Sequence, residues 1–390
     1  MRDGWVKKEL GQVCTLQRGF DLPKRYRVHG VIPLISASGC IDSHIESKTK
    51  GPGVVTGRSG SIGRVFYIEK DFWPLNTTLY IKDFHGNYPR FIYFLLKSFD
   101  LARYTSGTGV PTLNRNHVHK EIVRIPINVS EQKRIVAILD EAFAGIEKAM
   151  ANTEKNLANA KELFDSYLES VFSQQGKGWK NVLISDIAYV KGGKRVPKGY
   201  KLLTQVTDHP YISVSDFNDS GSVDIKKVKY INEEVYQQIS HYTISGNDVY
   251  ISIAGTIGKT GIIPQELEGA NLTENACKLV LKEGILNWYL YFFTKTKSFK
   301  EQALKNTRTT AQPKLSLQRL KTIRLPLPPI ETQNALIKQL IDFGDQTKKI
   351  ESIYQQKLTA LAELKQSLLQ KAFSGELTAD EQLLPAEVAA

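Results

Sequence analysis

Cysteine is scarce in this chain, long apolar runs are missing, and so are the usual signatures of catalysis. The three cysteines, Cys14, Cys40 and Cys277, are odd in number, far apart and form no CxxC pair. That excludes a disulfide framework and a zinc ribbon, and it points to a reducing, cytoplasmic setting. No stretch approaches the ~18 uninterrupted apolar residues of a membrane span, and the opening MRDGWVKKEL has no apolar signal core. No nucleophile elbow, HExxH or His-x-Glu…CxxC arrangement is found. A methyltransferase would need an Asn/Asp-Pro-Pro-aromatic motif, but the only Pro-Pro, Pro328-Pro329, follows leucine and introduces a helix. Gly258-Lys259-Thr260 imitates the end of a phosphate-binding loop, yet Ile253 stands where that loop needs glycine. His117 and His119 have no third ligand nearby. Asp208, Asp224 and Lys226 loosely imitate nuclease spacing, which leaves an Mg-dependent nuclease as the alternative reading.

Positive charge is plentiful. The 390 residues carry 52 basic and 40 acidic side chains, a formal +12. This suggests an anionic partner, with nucleic acid first. The length fits two or three domains at roughly 150 residues each.

The chain also repeats itself. The segment from Trp5 returns at Trp179, with Gly19 matching Gly193, Pro23 matching Pro197 and Lys24 matching Lys198. Ile35-Ser36 answers Ile212-Ser213, Gly60-Ser-Ile-Gly63-Arg64 answers Gly255-Thr-Ile-Gly258-Lys259, and Asn76 is matched with Asn271. Val123-Arg-Ile-Pro126 answers Ile323-Arg-Leu-Pro326. The growing offset means that the second copy carries loop insertions.

Each copy ends in a long helical pattern. Ser130-Glu131-Gln132 opens the first as a polar N-cap, and a stripe follows through Leu139, Phe143, Ile146, Met150, Leu157 and Phe164. The second runs from Glu331 to Phe373, with Leu340, Phe343, Thr347, Ile350, Tyr354, Leu361, Leu364 and Leu368 on its stripe and Leu358 one position out of register. Gly176 and Gly375 stand where helix stops are expected. A helix of about 40 residues is about 60 Å long and needs a partner along its seam. The obvious partner is the other copy's helix.

Charge follows the repeat. Residues 1–130 hold 19 basic and 10 acidic side chains, a net of +9, and residues 131–175 net −3. Residues 176–330 again net +9 and residues 331–390 net −3. Two basic modules on mildly acidic helices suit phosphate neutralisation and argue against a helix lying on a membrane.

The modules mix short β-rich runs with at least one helix, at 91–97 and 288–294, so the class is α+β; these patterns do not give the strand order. Candidate DNA contacts are Lys24, Arg25 and Arg27 with their counterparts Lys194, Arg195 and Lys198. The glycine turns add Arg64 and Lys259, and Arg58 lies just before the first turn. The polar stretches 105–116 and 306–314 add Arg115, Arg308 and Lys314, among Asn, Gln and Thr side chains whose geometry suits bases and phosphates.

Two basic α+β units, each led by Ile-Pro-Ile…Ser-Glu-Gln or Leu-Pro-Leu-Pro-Pro-Ile-Glu-Thr-Gln into a long helix, resemble the specificity subunits of Type I restriction–modification systems. The ending Leu364-Lys-Gln-Ser-Leu-Leu-Gln-Lys-Ala-Phe-Ser-Gly-Glu-Leu377 and the glycine pairs are also similar to that family. The resemblance spans Trp5 to Leu377. It implies target recognition domains at 1–130 and 176–330 and spacer helices at 131–175 and 331–377 that pair antiparallel as a coiled coil; residues 378–390 fall outside it and read as a loose tail. It further implies a non-catalytic chain that reads a split, asymmetric site on double-stranded DNA. Two methyltransferase (M) subunits and restriction (R) subunits would dock on it and carry S-adenosylmethionine, ATP and Mg²⁺. Lengthening both helices, after Leu157 and after Leu358, should then change the gap between half-sites.

Overall fold

The computed structural model describes residues 4–106, 111–174, 176–304 and 314–379. The chain divides into two compact units, residues 1–155 with 354–390, and residues 156–353. Two 45-residue helices, Val129–Ser173 and Ile330–Ser374, each give one half to either unit.

In the first unit the strand Trp5–Glu9 pairs antiparallel with Ile122–Pro126, bringing the two ends of the globular part together. Between them lies a four-stranded antiparallel sheet in the order Thr15–Arg18, Thr78–Asp83, Gly53–Gly57, Val65–Ile68. A three-stranded sheet has Ile32–Ser36 at its centre, flanked by Gly39–His44 and, in parallel, by Trp73–Pro74. Ile35, Val55, Phe72 and Tyr80 join the two sheets in one small core. The helix Pro89–Lys97 buries Phe91, Phe94 and Leu95 against Leu139, Phe143 and Ile146 of the first long helix.

The second unit repeats the plan. Lys180–Leu183 pairs with Arg324–Leu327, and the four-stranded order is Ala188–Gly192, Ala276–Leu281, Val249–Ser252, Thr260–Gly261. Pro210–Ile212 is the centre of the small sheet and pairs in parallel with Asn271–Leu272. The helix Asn287–Lys295 matches Pro89–Lys97, with Tyr289, Phe292 and Phe293 buried.

Structural equivalence corrects one sequence match. Arg58 and Ile253 donate their backbone N–H groups to Thr77 and Asn275 respectively, so Asn76 is the counterpart of Glu274 and not of Asn271. The offset rises from 195 at Arg58 and Ile253 to 198 at Thr77 and Asn275, so three extra residues of the second copy enter between these points. Asn271 instead lies buried in its strand, donating to the Ile239 carbonyl.

The long helices pair antiparallel within each unit. In the first, Lys365 donates to Glu147 at 2.8 Å and sits 4.9 Å from the Phe143 ring centre, while Thr378 donates to Glu131 nearer the start of the first helix. In the second, Tyr167 packs 4.6 Å from Phe343, and Phe164 stacks on the same ring at 6.5 Å. Leu139, Phe143, Ile146 and Leu340 are buried; Met150, Leu157, Phe164, Tyr354, Leu361 and Leu368 are half-buried. Ile350 and Leu364 depart from the expected stripe. They are 39% and 47% exposed, whereas Leu358 is half-buried on the seam. Spacings of four and three from Thr347 pass through Glu351, Tyr354 and Leu358, so Leu358 is in register and Ile350 faces outward. Gly344, inside the second long helix, makes room for Phe164: a Cβ there would stand 3.2 Å from that ring.

The helix ends also differ from expectation. The Asn128 side chain accepts from the Ser130 N–H at 2.8 Å, so Asn128 caps the helix and Ser130 belongs to its first turn. Gly375 takes the left-handed stop conformation at φ 88°, while Gly178, and not Gly176, has positive φ after the first helix. Thr378, placed by sequence in the loose tail, is buried.

Candidate nucleic-acid interface

In the first unit Arg18, Arg58 and Arg115 surround one concavity of about 380 Å³, lined also by Ser106, Thr112, Asn114 and Asn116. Arg18 closes the strand Thr15–Arg18 and is held by Asp21 at 3.3 Å. Asp21 also accepts from the Asn76 amide, and Arg58 donates to the Asn76 carbonyl at 3.3 Å. Sequence reading missed Arg18 and Asp21. Their only signal is an i, i+3 pair in a strand-to-loop junction, which is common.

Arg115 opens the short helix Arg115–His119, capped by Asn114. That helix is fixed to the sheet edge through one residue: the His119 Nε2 accepts from the Leu16 N–H at 2.9 Å, and Arg115 donates to the Leu16 carbonyl at 3.4 Å. Burial, and then the charge of Arg115, hold the His119 imidazole below its ordinary 6.5. The unfolded chain therefore binds this proton more readily than the folded one. The contribution to stability is complete above about pH 6.5 and is lost as pH falls below it. The protection factor of the Leu16 amide, its intrinsic exchange rate divided by its observed one, should thus fall between pH 7.5 and 5.5 in the native chain. In His119→Gln, which keeps an acceptor but cannot titrate, it should stay level; equal profiles in the two proteins would remove the imidazole as the cause.

The remaining candidates fall in different settings. Lys24 and Arg25 are exposed on a short turn, with Arg25 over the Tyr26 ring. Arg27 is already engaged: it pairs with Asp42 at 3.5 Å and donates to the Leu22 carbonyl at 3.2 Å, which makes it a structural cation. Arg64 is exposed over Phe66. In the second unit Lys194 stands over Tyr242, Lys198 is exposed, and Arg195 is bound to Glu274 at 2.6 Å. Lys259 is held by Asp219 at 3.2 Å and the Phe217 carbonyl. Lys314 is exposed; Arg308 lies outside the described residues. Both glycine turns are hairpin ends with φ of 84°, 81°, 73° and 87° at Gly60, Gly63, Gly255 and Gly258. The same closing bonds recur in both, from Gly57 to Arg64 and from Ser252 to Lys259.

The nuclease alternative finds no support in the side chains. Asp224 caps a short turn by accepting from the Lys226 N–H and pairs with Lys227 at 3.1 Å. Among the described residues no group of three His, Cys, Asp or Glu could hold a metal ion, and no helix is long and apolar enough to cross a membrane.

The concavity differs sharply between the copies. Arg18 pairs in register with Leu79 and Gly192 with Cys277; Leu113 and Leu315 donate to the carbonyls of Arg58 and Ile253; Asn114 and Ser316 cap matching helices. The three arginines thus correspond to Gly192, Ile253 and Leu317. The backbone is the same while the chemistry of the site is not.

A duplicated α+β scaffold on paired long helices, keeping its backbone while the side chains of the concavity change between copies, defines a modular recognition protein. The chain belongs to the family described as the Type I restriction modification DNA specificity domain, which matches residues 2–155 and 176–360. It is 28% identical over 169 residues to the Type I restriction enzyme EcoBI specificity subunit of Escherichia coli, covering 43% of this chain and 35% of that one. It is 25% identical over 278 residues to the MjaVIII specificity subunit of Methanocaldococcus jannaschii, covering 63% of this chain and 60% of that one. These matches therefore span about a third and three fifths of the two relatives. A Haemophilus influenzae protein described as a putative specificity subunit is 26% identical over 88% of both chains. In fold, the chain is similar to one from a study of assembly in the type I R-M system, at a TM-score of 0.78, 16% identity and coverage of 97% and 99%. It is also similar to the HsdS subunit of Thermoanaerobacter tengcongensis, at a TM-score of 0.59, 17% identity and coverage of 97% and 98%.

Proposed function

We propose that this chain is the DNA-recognition subunit of a Type I restriction–modification complex, each unit reading one half of a bipartite, asymmetric site on double-stranded DNA. The single observation that carries the reading is the exchange of Arg18, Arg58 and Arg115 for Gly192, Ile253 and Leu317 at equivalent positions of one scaffold. Arginine recognises guanine edges and phosphates through its planar fork. A second copy without those forks must read something else. Two methyltransferase subunits and restriction subunits would assemble on the chain in the cytoplasm, holding S-adenosylmethionine, ATP and Mg²⁺ themselves.

Mapping methylated adenines genome-wide, with and without this gene, tests the reading. A bipartite motif with unlike halves should vanish on deletion. Arg18→Ala and Arg115→Ala should relax one half only, each by the roughly 1–3 kcal/mol that a good bidentate base contact discriminates. No lost motif on deletion would sink the reading.

A further inference from the structure

Each long helix begins beside a glutamine that is completely buried, Gln132 in one and Gln333 in the other. The Gln132 carbonyl oxygen accepts from the Tyr88 N–H at 2.8 Å, and its amide donates to Asn87 at 2.7 Å and to the Pro126 carbonyl at 3.1 Å. Gln333 repeats this: it accepts from the Leu286 N–H at 2.9 Å and donates to the carbonyls of Gly284 at 2.9 Å and Pro328 at 3.0 Å. Tyr88 and Leu286 are the residues just before the short helices Pro89–Lys97 and Asn287–Lys295. One side chain therefore ties together three backbone segments: the short helix start, the end of the closing strand and the long helix.

The surrounding contact is apolar. Ile135, Val136, Leu139 and Phe143 pack on Phe91, Phe94 and Leu95. Apolar burial is non-directional, and small rotations or slips of a helix bury similar area. A buried amide is directional: its acceptor and both donors are satisfied together in one setting only, and every other setting leaves polar groups unpaired.

We propose that Gln132 and Gln333 are positioning residues that set the angle and register of each globular part on its own long helix, and so hold the gap between half-sites to one value. This rests on the DNA-recognition reading, so the test has an arm that does not need it. Spin labels at Lys70→Cys and Glu154→Cys, in a Cys40→Ser background, report the domain-to-helix distance inside the first unit. The distribution should be narrow with Gln132 and clearly broadened in Gln132→Met, which keeps the bulk and loses all three bonds. An unchanged width in a folded Gln132→Met protein overturns the proposal. If that variant does not fold, Asn87→Ala removes one partner of Gln132 together with the bonds of Asn87 to the Val13 and Phe84 carbonyls, and an unchanged width there overturns the proposal equally.

The second arm maps methylated adenines made by the full complex carrying Gln132→Met. Sites with the original gap should fall about tenfold relative to sites one base pair longer or shorter, the factor that about 1.4 kcal/mol of lost hydrogen bonding gives. A residue that only stabilised the fold would lower methylation at all gaps alike, and that result would also overturn the proposal. Label distances that broaden in a protein whose native form directs no bipartite methylation would instead sink the DNA-recognition reading and leave the joint intact.

Discussion

Adding seven residues to both long helices, after Lys155 in one and after Ile353 in the other, is expected to lengthen the methylated gap by about three base pairs. Both half-sites should stay the same. The two positions are where the helices leave one unit and enter the other. Seven residues add about 10.5 Å of helix, close to three steps of about 3.4 Å along DNA. Seven also returns the seam to its own phase, because the stripe repeats every 3.5 residues. A four-residue insertion would turn the stripe by roughly 40° and mix lengthening with disrupted packing. The structure also moves the insertion points. Leu157 lies in the second unit and Leu358 in the first, so insertions there would not be matched along the pair. Sequencing methylated adenines reads the gap directly. Active methylation at the original spacing would show that the helices do not measure it.

Gly19→Ala and Gly193→Ala are expected to be among the most damaging single-methyl changes in the chain. A Cβ at Gly19 would stand 2.3 Å from the Leu75 carbonyl oxygen and 2.5 Å from that of Pro74. At Gly193 it would stand 2.1 Å from Thr273 and 2.3 Å from Leu272 oxygens. The obstacles are backbone, and the same carbonyls work: Pro74 and Leu272 accept from Phe20 and Lys194 at 2.8 Å. Relief requires moving a strand and breaking those bonds. Overpacking plus lost hydrogen bonds should cost about 3 kcal/mol or more. Scanning calorimetry should then show a thermal midpoint lower by roughly 6–12 °C for a unit of this size. Gly60→Ala is the control. Its Cβ meets nothing within 4 Å, and only its φ of 84° opposes the change, a cost of about 1 kcal/mol. A Gly19→Ala protein melting with the native one would mean that the junction has slack.

The pairing of Gly19 with Gly193 was legible in the sequence because a close approach of backbones admits no other residue, whatever surrounds it. The long helices were legible for a similar reason, since their apolar period survives without any tertiary information. The stripe became misread at Ile350, where an isoleucine happens to stand beside the true seam position, Glu351. Hydrophobicity there pointed one way and phase the other. Strand order was not legible, because Trp5 pairs with Pro126 and no local pattern announces a partner so far away. The candidate site was only half visible. Arg58 and Arg115 stood out as cations in polar loops, while Arg18 reads as an ordinary strand residue until the fold sets it beside them. Arg27 shows the converse: it stands in the same kind of basic stretch, but its side chain is largely buried and already held by Asp42 and the Leu22 carbonyl.

The division of the chain has a consequence for its birth on the ribosome. The second unit is one uninterrupted stretch, residues 156–353, whereas the first needs residues 354 onward to finish its core. Leu369 and Ala372 belong to the same buried cluster as Leu139, Phe143 and Ile146. At about 5–20 residues per second, Phe143 waits roughly 10–45 s for them to be synthesised. The first unit is therefore completed only after the whole second unit has been made, and its apolar stripe stays without its own partner until Leu369 and Ala372 emerge.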